Sequence, residues 1–172
     1  MINAKLIREI PDFPKPGIIF KDITPLLSDA NSFKSIAEKF GELAAAADYI
    51  VGIEARGFIF AAAAASESKK GFIPLRKSGK LPGPVAKQSY ELEYGSAQIE
   101  IHKDIYRTGS TALIVDDVLA TGGTAVAAIK LCEKIGLQVS GLAFLLEIPE
   151  LGGRSQINEH FPRLQINILL AQ

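Results

Sequence analysis

The stretch Val115-Asp116-Asp117-Val118-Leu119-Ala120-Thr121-Gly122-Gly123-Thr124 decides how the rest of the chain is read. An apolar strand, Thr111 to Val115, runs into two adjacent carboxylates and a turn of small residues. A helix follows, with Ala125, Ala128, Ile129, Cys132 and Ile135 on its inner face. This order predicts two negative charges at a strand's carboxyl end. Beside them, Gly122 and Gly123 allow backbone angles that turn successive N–H groups inward as an anion nest. The helix beginning there adds a partly positive N-terminus, and Thr121 and Thr124 add hydroxyls. No Gly-Lys-Ser/Thr follows, so a P-loop is excluded, and Gly-x-Gly-x-x-Gly does not occur. Asp116 and Asp117 cannot ligate a phosphate, because like charges repel. They can accept hydrogen bonds from sugar hydroxyls, or hold Mg²⁺ directly or through water. An anion loop beside an acid pair therefore predicts a phosphorylated sugar.

The same design recurs upstream. Tyr49 to Ile53 is a short buried strand that ends in Glu54-Ala55-Arg56-Gly57, followed by an alanine-rich helix from Phe58 to about Ser68. Gly71 to Leu75 is a further strand, and Arg76, Lys77 and Lys80 lie just beyond it. Downstream, Leu137 to Leu146 and Leu164 to Leu170 read as strands, with residues 154 to 160 helical between them. An amphipathic helix is expected from Asn31 to Ala47, capped by Ser28, Asp29 or Asn31. Strands alternating with helices predict an α/β fold: a mostly parallel central sheet flanked by helices. Ligands in such sheets bind beyond the carboxyl ends of the strands. The acid pair, Glu54 to Gly57 and the basic cluster are all expected at that edge. Those cations are suited to a diphosphate, arginine in bidentate fashion.

Two segments fall outside the alternation. Residues 3 to 10 suggest a short helix, and the prolines at 11, 14, 16 and 25 predict an extended run from Pro11 to Leu27. Ile18, Ile19 and Phe20 in that run must cover either core or a pocket. From Val85 to Lys103 the period changes to two, with Ile99 and Ile101 alternating against Gln98, Glu100 and His102. Tyr90 to Tyr94 and Gly95-Ser96 supply the other arm and the turn of a hairpin. Its polar content predicts poor burial and mobility.

The 172 residues suit one domain, and 48% hydrophobic content argues against disorder. Nineteen basic and nineteen acidic side chains cancel, so no overall field favours nucleic acid or an anionic membrane. No apolar run is long enough to span a bilayer, and the N-terminus lacks a signal-peptide core. A single cysteine, Cys132, cannot form an internal disulfide, which points to a reducing, cytoplasmic setting. No His/Cys cluster supports a zinc site, and neither His102 nor His160 is expected to be catalytic.

Val115 to Thr124 resembles the phosphoribosyl-diphosphate (PRPP) signature of type I phosphoribosyltransferases. Four further stretches resemble the adenine branch of that family: Pro16 to Asp22, Glu54 to Phe58, Arg76 to Gly83 and Leu92 to Gly95. The alanine run Ala61 to Ala65 departs from relatives yet still suits a close-packed helix. The resemblance implies a type I phosphoribosyltransferase fold over 1–172. It has a small N-terminal hood at 1–30, a flexible β-hairpin at 80–105 and a PRPP-binding strand, loop and helix at 111–135. It implies the reaction adenine + PRPP giving AMP + pyrophosphate, with Mg²⁺ held mainly by PRPP and water. Ala120, Thr121, Gly122, Gly123 and Thr124 would hold the 5′-phosphate, and Asp116 and Asp117 the ribose hydroxyls. Glu54, Ala55 and Arg56, in a turn that often carries a cis peptide in the family, would meet the pyrophosphate with Arg76, Lys77 and Lys80. Ile19, Phe20 and Lys21 would form the adenine pocket. Glu93 would be the general acid/base, with Arg56 assisting, and Tyr94 would shield the site. A homodimer is implied. Another purine base, or a non-catalytic PRPP sensor, are the alternatives.

Overall fold

The computed structural model describes residues 2–91 and 95–170. In chain order, a 3₁₀ turn at Ala4–Leu6 precedes β1 (Arg8–Pro11) and β2 (Ile19–Asp22). Then come α1 (Thr24–Ser28), α2 (Ala30–Leu43), β3 (Tyr49–Ile53), α3 (Gly57–Ser68) and β4 (Gly71–Lys77). The hairpin arms are β5 (Val85–Glu91) and β6 (Ser96–His102). The second half comprises β7 (Thr111–Leu119), α4 (Gly123–Lys134), β8 (Gln138–Glu147), α5 (Gly153–His160) and β9 (Ile166–Ile168).

The main sheet has seven strands in the order β5-β6-β4-β3-β7-β8-β9. Strands β4, β3, β7, β8 and β9 pair in parallel, and the β5–β6 hairpin adds antiparallel at one edge. Along β7 the burial alternates between the two faces. Ala112 and Ile114 pack with Ile129, Leu131 and Cys132 of α4, whereas Leu113 and Val115 pack with Phe60, Ala61 and Ala64 of α3. Alanine on α3 allows close approach to α2. A Cβ on Gly41 would already sit 3.2 Å from the Cβ of Ser68. Of the three possible caps for α2, Asp29 is the one that acts, accepting from the Ser32 N–H at 2.8 Å.

The N-terminal segment differs from expectation. Residues 8–11 form a strand rather than a helix, and the expected extended run ends in α1, which Pro25 opens by fitting the first helical turn. The β1–β2 ribbon is held by cross-strand ion pairs, Arg8 with Asp22 and Glu9 with Lys21, at directly opposed positions. A local helical pattern cannot compete with those long-range pairs. The hairpin also differs: its base is buried, with Ala86, Ile99, Ile101 and Glu100 all in the interior.

Candidate active site

The crossovers fix where a site can form. β3 leads through α3 to β4 on one side; β7 leads through α4 to β8 on the other, and the two helices cover opposite faces. A crevice therefore opens between the carboxyl ends of β3 and β7. The turn Glu54-Ala55-Arg56 borders it on one side and Ala120 to Gly122 on the other. The Glu54–Ala55 peptide is cis.

Strand β7 does not stop at Val115. It continues through the acid pair to Leu119, with Asp116 opposite Phe144, because β8 is long enough to keep pairing. The acids are thus fixed by a ladder, not carried on a loop. Asp117 is buried, and Arg56 Nη2 lies 2.6 Å from its Oδ2, out of line for a hydrogen bond. Asp116 Oδ1 accepts the Asp117 N–H at 2.8 Å. Desolvation first, then repulsion from Asp117, holds the Asp116 carboxyl well above the ordinary carboxylate range. Gly57, the first residue of α3, lets this carboxyl approach, since a Cβ there would sit 2.6 Å from Asp116 Oδ1.

In the anion loop Gly122 has φ +86°, a left-handed conformation that glycine adopts without strain. The Val126 N–H donates to the Gly122 carbonyl, and no described side chain caps the N-terminus of α4. Its first N–H groups therefore face the loop without a side-chain acceptor. A cavity of about 40 Å³ lies here, lined by Asp116, Ala120, Thr121, Gly122, Thr124 and Ala125 among others. The floor of the loop comes from α5. A Cβ on Gly122 would lie 2.6 Å from the Gly153 carbonyl oxygen, and a Cβ on Gly153 would overlap the Ala120 carbonyl oxygen.

Across the crevice, Arg76 grips Glu54 through Nε and Nη2, each at 3.2 Å. Glu54 also accepts the Lys77 N–H at 2.9 Å. The Arg76 hydrogen bond is the main cause that holds the Glu54 carboxyl below its usual range. Arg76 and Glu54 thus hold each other, and Arg76 Nη1 donates to the Lys80 carbonyl at 3.1 Å. On the side of the β1–β2 ribbon, Arg56 lies over the Phe20 ring at 4.8 Å from its centre and donates from Nη1 to the Lys21 carbonyl at 3.3 Å. Phe13 meets the same ring edge-on at 5.1 Å. Ile19 is 55% exposed. Arg56 therefore touches both β2 and the acid pair.

The hairpin leans on α4. A Cβ on Gly123 would lie 3.5 Å from the Glu91 carbonyl oxygen, and Lys134 Nζ donates to the Lys87 carbonyl at 3.2 Å. Glu93 and Tyr94 lie outside the described residues. Among the described residues, no three His, Cys, Asp or Glu side chains come together as a metal cage. Asp116 and Asp117 offer two carboxylates, one of them facing Arg56. That donor set suits Mg²⁺ shared with substrate phosphates and water rather than an all-protein cage.

Three contributions were not legible in the sequence. Gly57, although within the Glu54 to Gly57 turn, and Gly153 act through the space they leave. Glu100 reads as an outward residue of the hairpin, yet its Oε1 accepts the N–H groups of Lys80 and Leu81, both at 2.8 Å.

Residues 26–163 match the family model described as the phosphoribosyl transferase domain. The chain therefore belongs to the phosphoribosyl transferase family and is an enzyme, a pentosyltransferase. It is 48% identical over 166 residues to the adenine phosphoribosyltransferase of Streptomyces coelicolor, covering 95% of this chain and 91% of that one. It is 54% identical over 155 residues to that of Halothermothrix orenii, covering 89% and 91%. The crystal structure of adenine phosphoribosyltransferase from Thermoanaerobacter pseudethanolicus superposes with a TM-score of 0.89 at 46% identity, covering 96% of this chain and 95% of that one. The Saccharomyces cerevisiae enzyme, in complex with an imino-altritol bisphosphate and adenine, gives 0.89 at 38% identity, covering 96% and 95%. The adenine phosphoribosyltransferases are the branch of the family to which the chain belongs.

Proposed function

We infer that the chain converts adenine and PRPP to AMP and pyrophosphate, a step of purine salvage. The observation that carries this is the meeting, at one crevice, of an acid pair fixed in β7, an uncapped helix N-terminus behind a glycine loop, and Arg56. The glycine loop takes the 5′-phosphate through backbone N–H groups, and Thr121 and Thr124 add hydroxyls. Asp116 and Asp117 accept from the ribose hydroxyls. Arg56, the Glu54-Ala55 turn, Arg76, Lys77 and Lys80 lie toward the diphosphate. Ile19 offers an apolar face to the purine, and Phe20 and Lys21 border it. Asp116 and Asp117, with water and PRPP itself, would hold Mg²⁺, which would supply charge neutralisation at the diphosphate.

In the reaction, N9 of adenine forms its bond to C1 of the ribose as the C1–diphosphate bond breaks. Glu93 takes the N9 proton, and Tyr94 shields the reacting centre from water. Glu91, two residues before Glu93 in the chain, lies beside Gly123 of the glycine loop, which supports this role. The domain reading, with 1–30 as hood, 80–105 as lid and 111–135 as PRPP-binding unit, follows from the same resemblance. So do the homodimer and the cytoplasmic setting. Among the described residues no helix is long and apolar enough to cross a membrane.

The test is AMP formation from adenine, PRPP and Mg²⁺, with Glu93→Gln alongside. AMP from the native chain and a turnover loss of about 10²–10⁴-fold in the variant, with PRPP binding kept, are expected. No AMP from the native chain defeats the reading, and undiminished turnover removes Glu93 from it. Hypoxanthine, guanine and xanthine as competitors separate adenine from the other bases.

A further inference from the structure

Glu100 has no part in the reaction described above, yet it is the most enclosed carboxylate among the described residues, at 1% exposure. A buried carboxylate persists only where it is well partnered. Here its Oε1 accepts the N–H groups of Lys80 and Leu81, and its Oε2 lies 3.6 Å from Lys87 Nζ. Lys80 is held from the other side as well, because its carbonyl accepts from Arg76 Nη1. Both backbone polar groups of this one residue are therefore clamped, the N–H by Glu100 and the carbonyl by Arg76, itself paired with Glu54. Ser78 adds to the anchoring: its N–H donates to the Gln98 carbonyl at 3.0 Å, and its Oγ to Gln98 Oε1 at 2.9 Å. The loop from Ser78 to Leu81 is thus moored to β6, the inner arm of the hairpin.

We propose that Glu100 is a positioning residue, which presets the Ser78–Leu81 loop so that Lys80 meets the diphosphate of PRPP without first having to be ordered. The inference rests on the diphosphate role given to Lys80 above. A loop left to its own entropy would lose freedom on binding, and that loss would appear in PRPP affinity. Desolvation raises the Glu100 pKa, but the N–H groups of Gly79, Leu81 and Lys80 outweigh it, and the net shift is downward. The clamp therefore stays charged at neutral pH. Its partner Lys87 sits on β5, so the basic loop and both arms of the hairpin share one anchor.

The experiment is a double-mutant cycle with Glu100→Gln and Lys80→Ala, reading KM for each substrate and kcat in the presence of Mg²⁺. Glutamine keeps one acceptor and the shape while weakening both charge-assisted bonds. Glu100→Gln is expected to raise KM for PRPP about tenfold, with KM for adenine within about twofold. In the Lys80→Ala background the same change should add less than about twofold, because the two act as one unit. Equal rises in both KM values, or full additivity with a Lys80→Ala that is itself impaired, overturn the inference alone. A Lys80→Ala enzyme with unchanged KM for PRPP removes the diphosphate role of Lys80, and the inference with it. Glu100→Asp, which keeps the charge, replaces the glutamine variant in the cycle if the latter does not fold.

Discussion

The two halves of the crevice are built by opposite means. The half proposed to take the phosphate is backbone set in core: Val115 and Leu119 of β7 are essentially without exposure, and Gly122 rests against Gly153. The half proposed to take the base is side chains set on a ribbon: Phe13, Ile18 and Ile19 are 51%, 45% and 55% exposed. Its strands are held by ion pairs between partly solvated partners. A phosphate is the same on every substrate and can be met by rigid N–H groups. A planar base must enter and leave, which suits a lightly held wall. Arg56 joins the halves, touching Phe20 and Lys21 on one and Asp117 on the other.

The contrast breaks most visibly at Gly153. An alanine there must displace the Ala120 carbonyl, and the loop has no slack because Gly122 lies against the same residue. Gly153→Ala is expected to raise KM for PRPP by about 10–100-fold, with KM for adenine nearly unchanged. Steady-state kinetics with each substrate varied decides it, and equal effects on both would show that the phosphate half is not separately built.

On the base side, Phe20→Ala removes the ring between Phe13 and Arg56. KM for adenine should rise about tenfold while PRPP binding by calorimetry changes by less than about threefold. The melting temperature should fall by no more than about 3 °C, because Phe20 is outside both packed clusters of the sheet. A larger fall would mean that the hood supports the fold.

The smallest effect concerns acid. Asp22 has its pKa lowered from 3.8 to about 2, chiefly by hydrogen bonds from Thr24 and then from Arg8. A depressed carboxylate contributes stability that is complete above its unfolded value and is lost as pH falls through the folded one. The β1–β2 ribbon should therefore loosen between about pH 4 and pH 2, ahead of the buried core of β7. Amide exchange in β2 compared with β7 over that range reads the difference, and equal exposure of the two would erase it.

Much of the parallel sheet was legible because its signals are local. Tyr49 to Ile53 and Thr111 to Val115 are short β-branched runs, and each is followed by a turn and a periodic helix. The acid pair and Gly122-Gly123 declared themselves for the same reason. The continuation of β7 to Leu119 was not legible, since nothing in Asp116-Asp117 reports that β8 runs alongside. The β1 strand was hidden because its reason lies in Asp22 and Lys21 of another strand. Glu100 fitted a period-two pattern that predicts exposure, and only the loop from Ser78 to Leu81 folding over it reverses that. Gly152-Gly153 read as a turn, but the contact of Gly153 with the glycine loop was not legible, because a missing side chain says nothing of what fills its place.

The contact between Gly122 and Gly153 bears on how such a site is transplanted. A strand, loop and helix cut out at Thr111 and Lys134 would carry every group proposed to touch the 5′-phosphate, yet leave behind the surface on which the loop lies. The smallest portable unit runs on through β8 to the first turn of α5. A designer borrowing this phosphate cradle must take both glycines or neither.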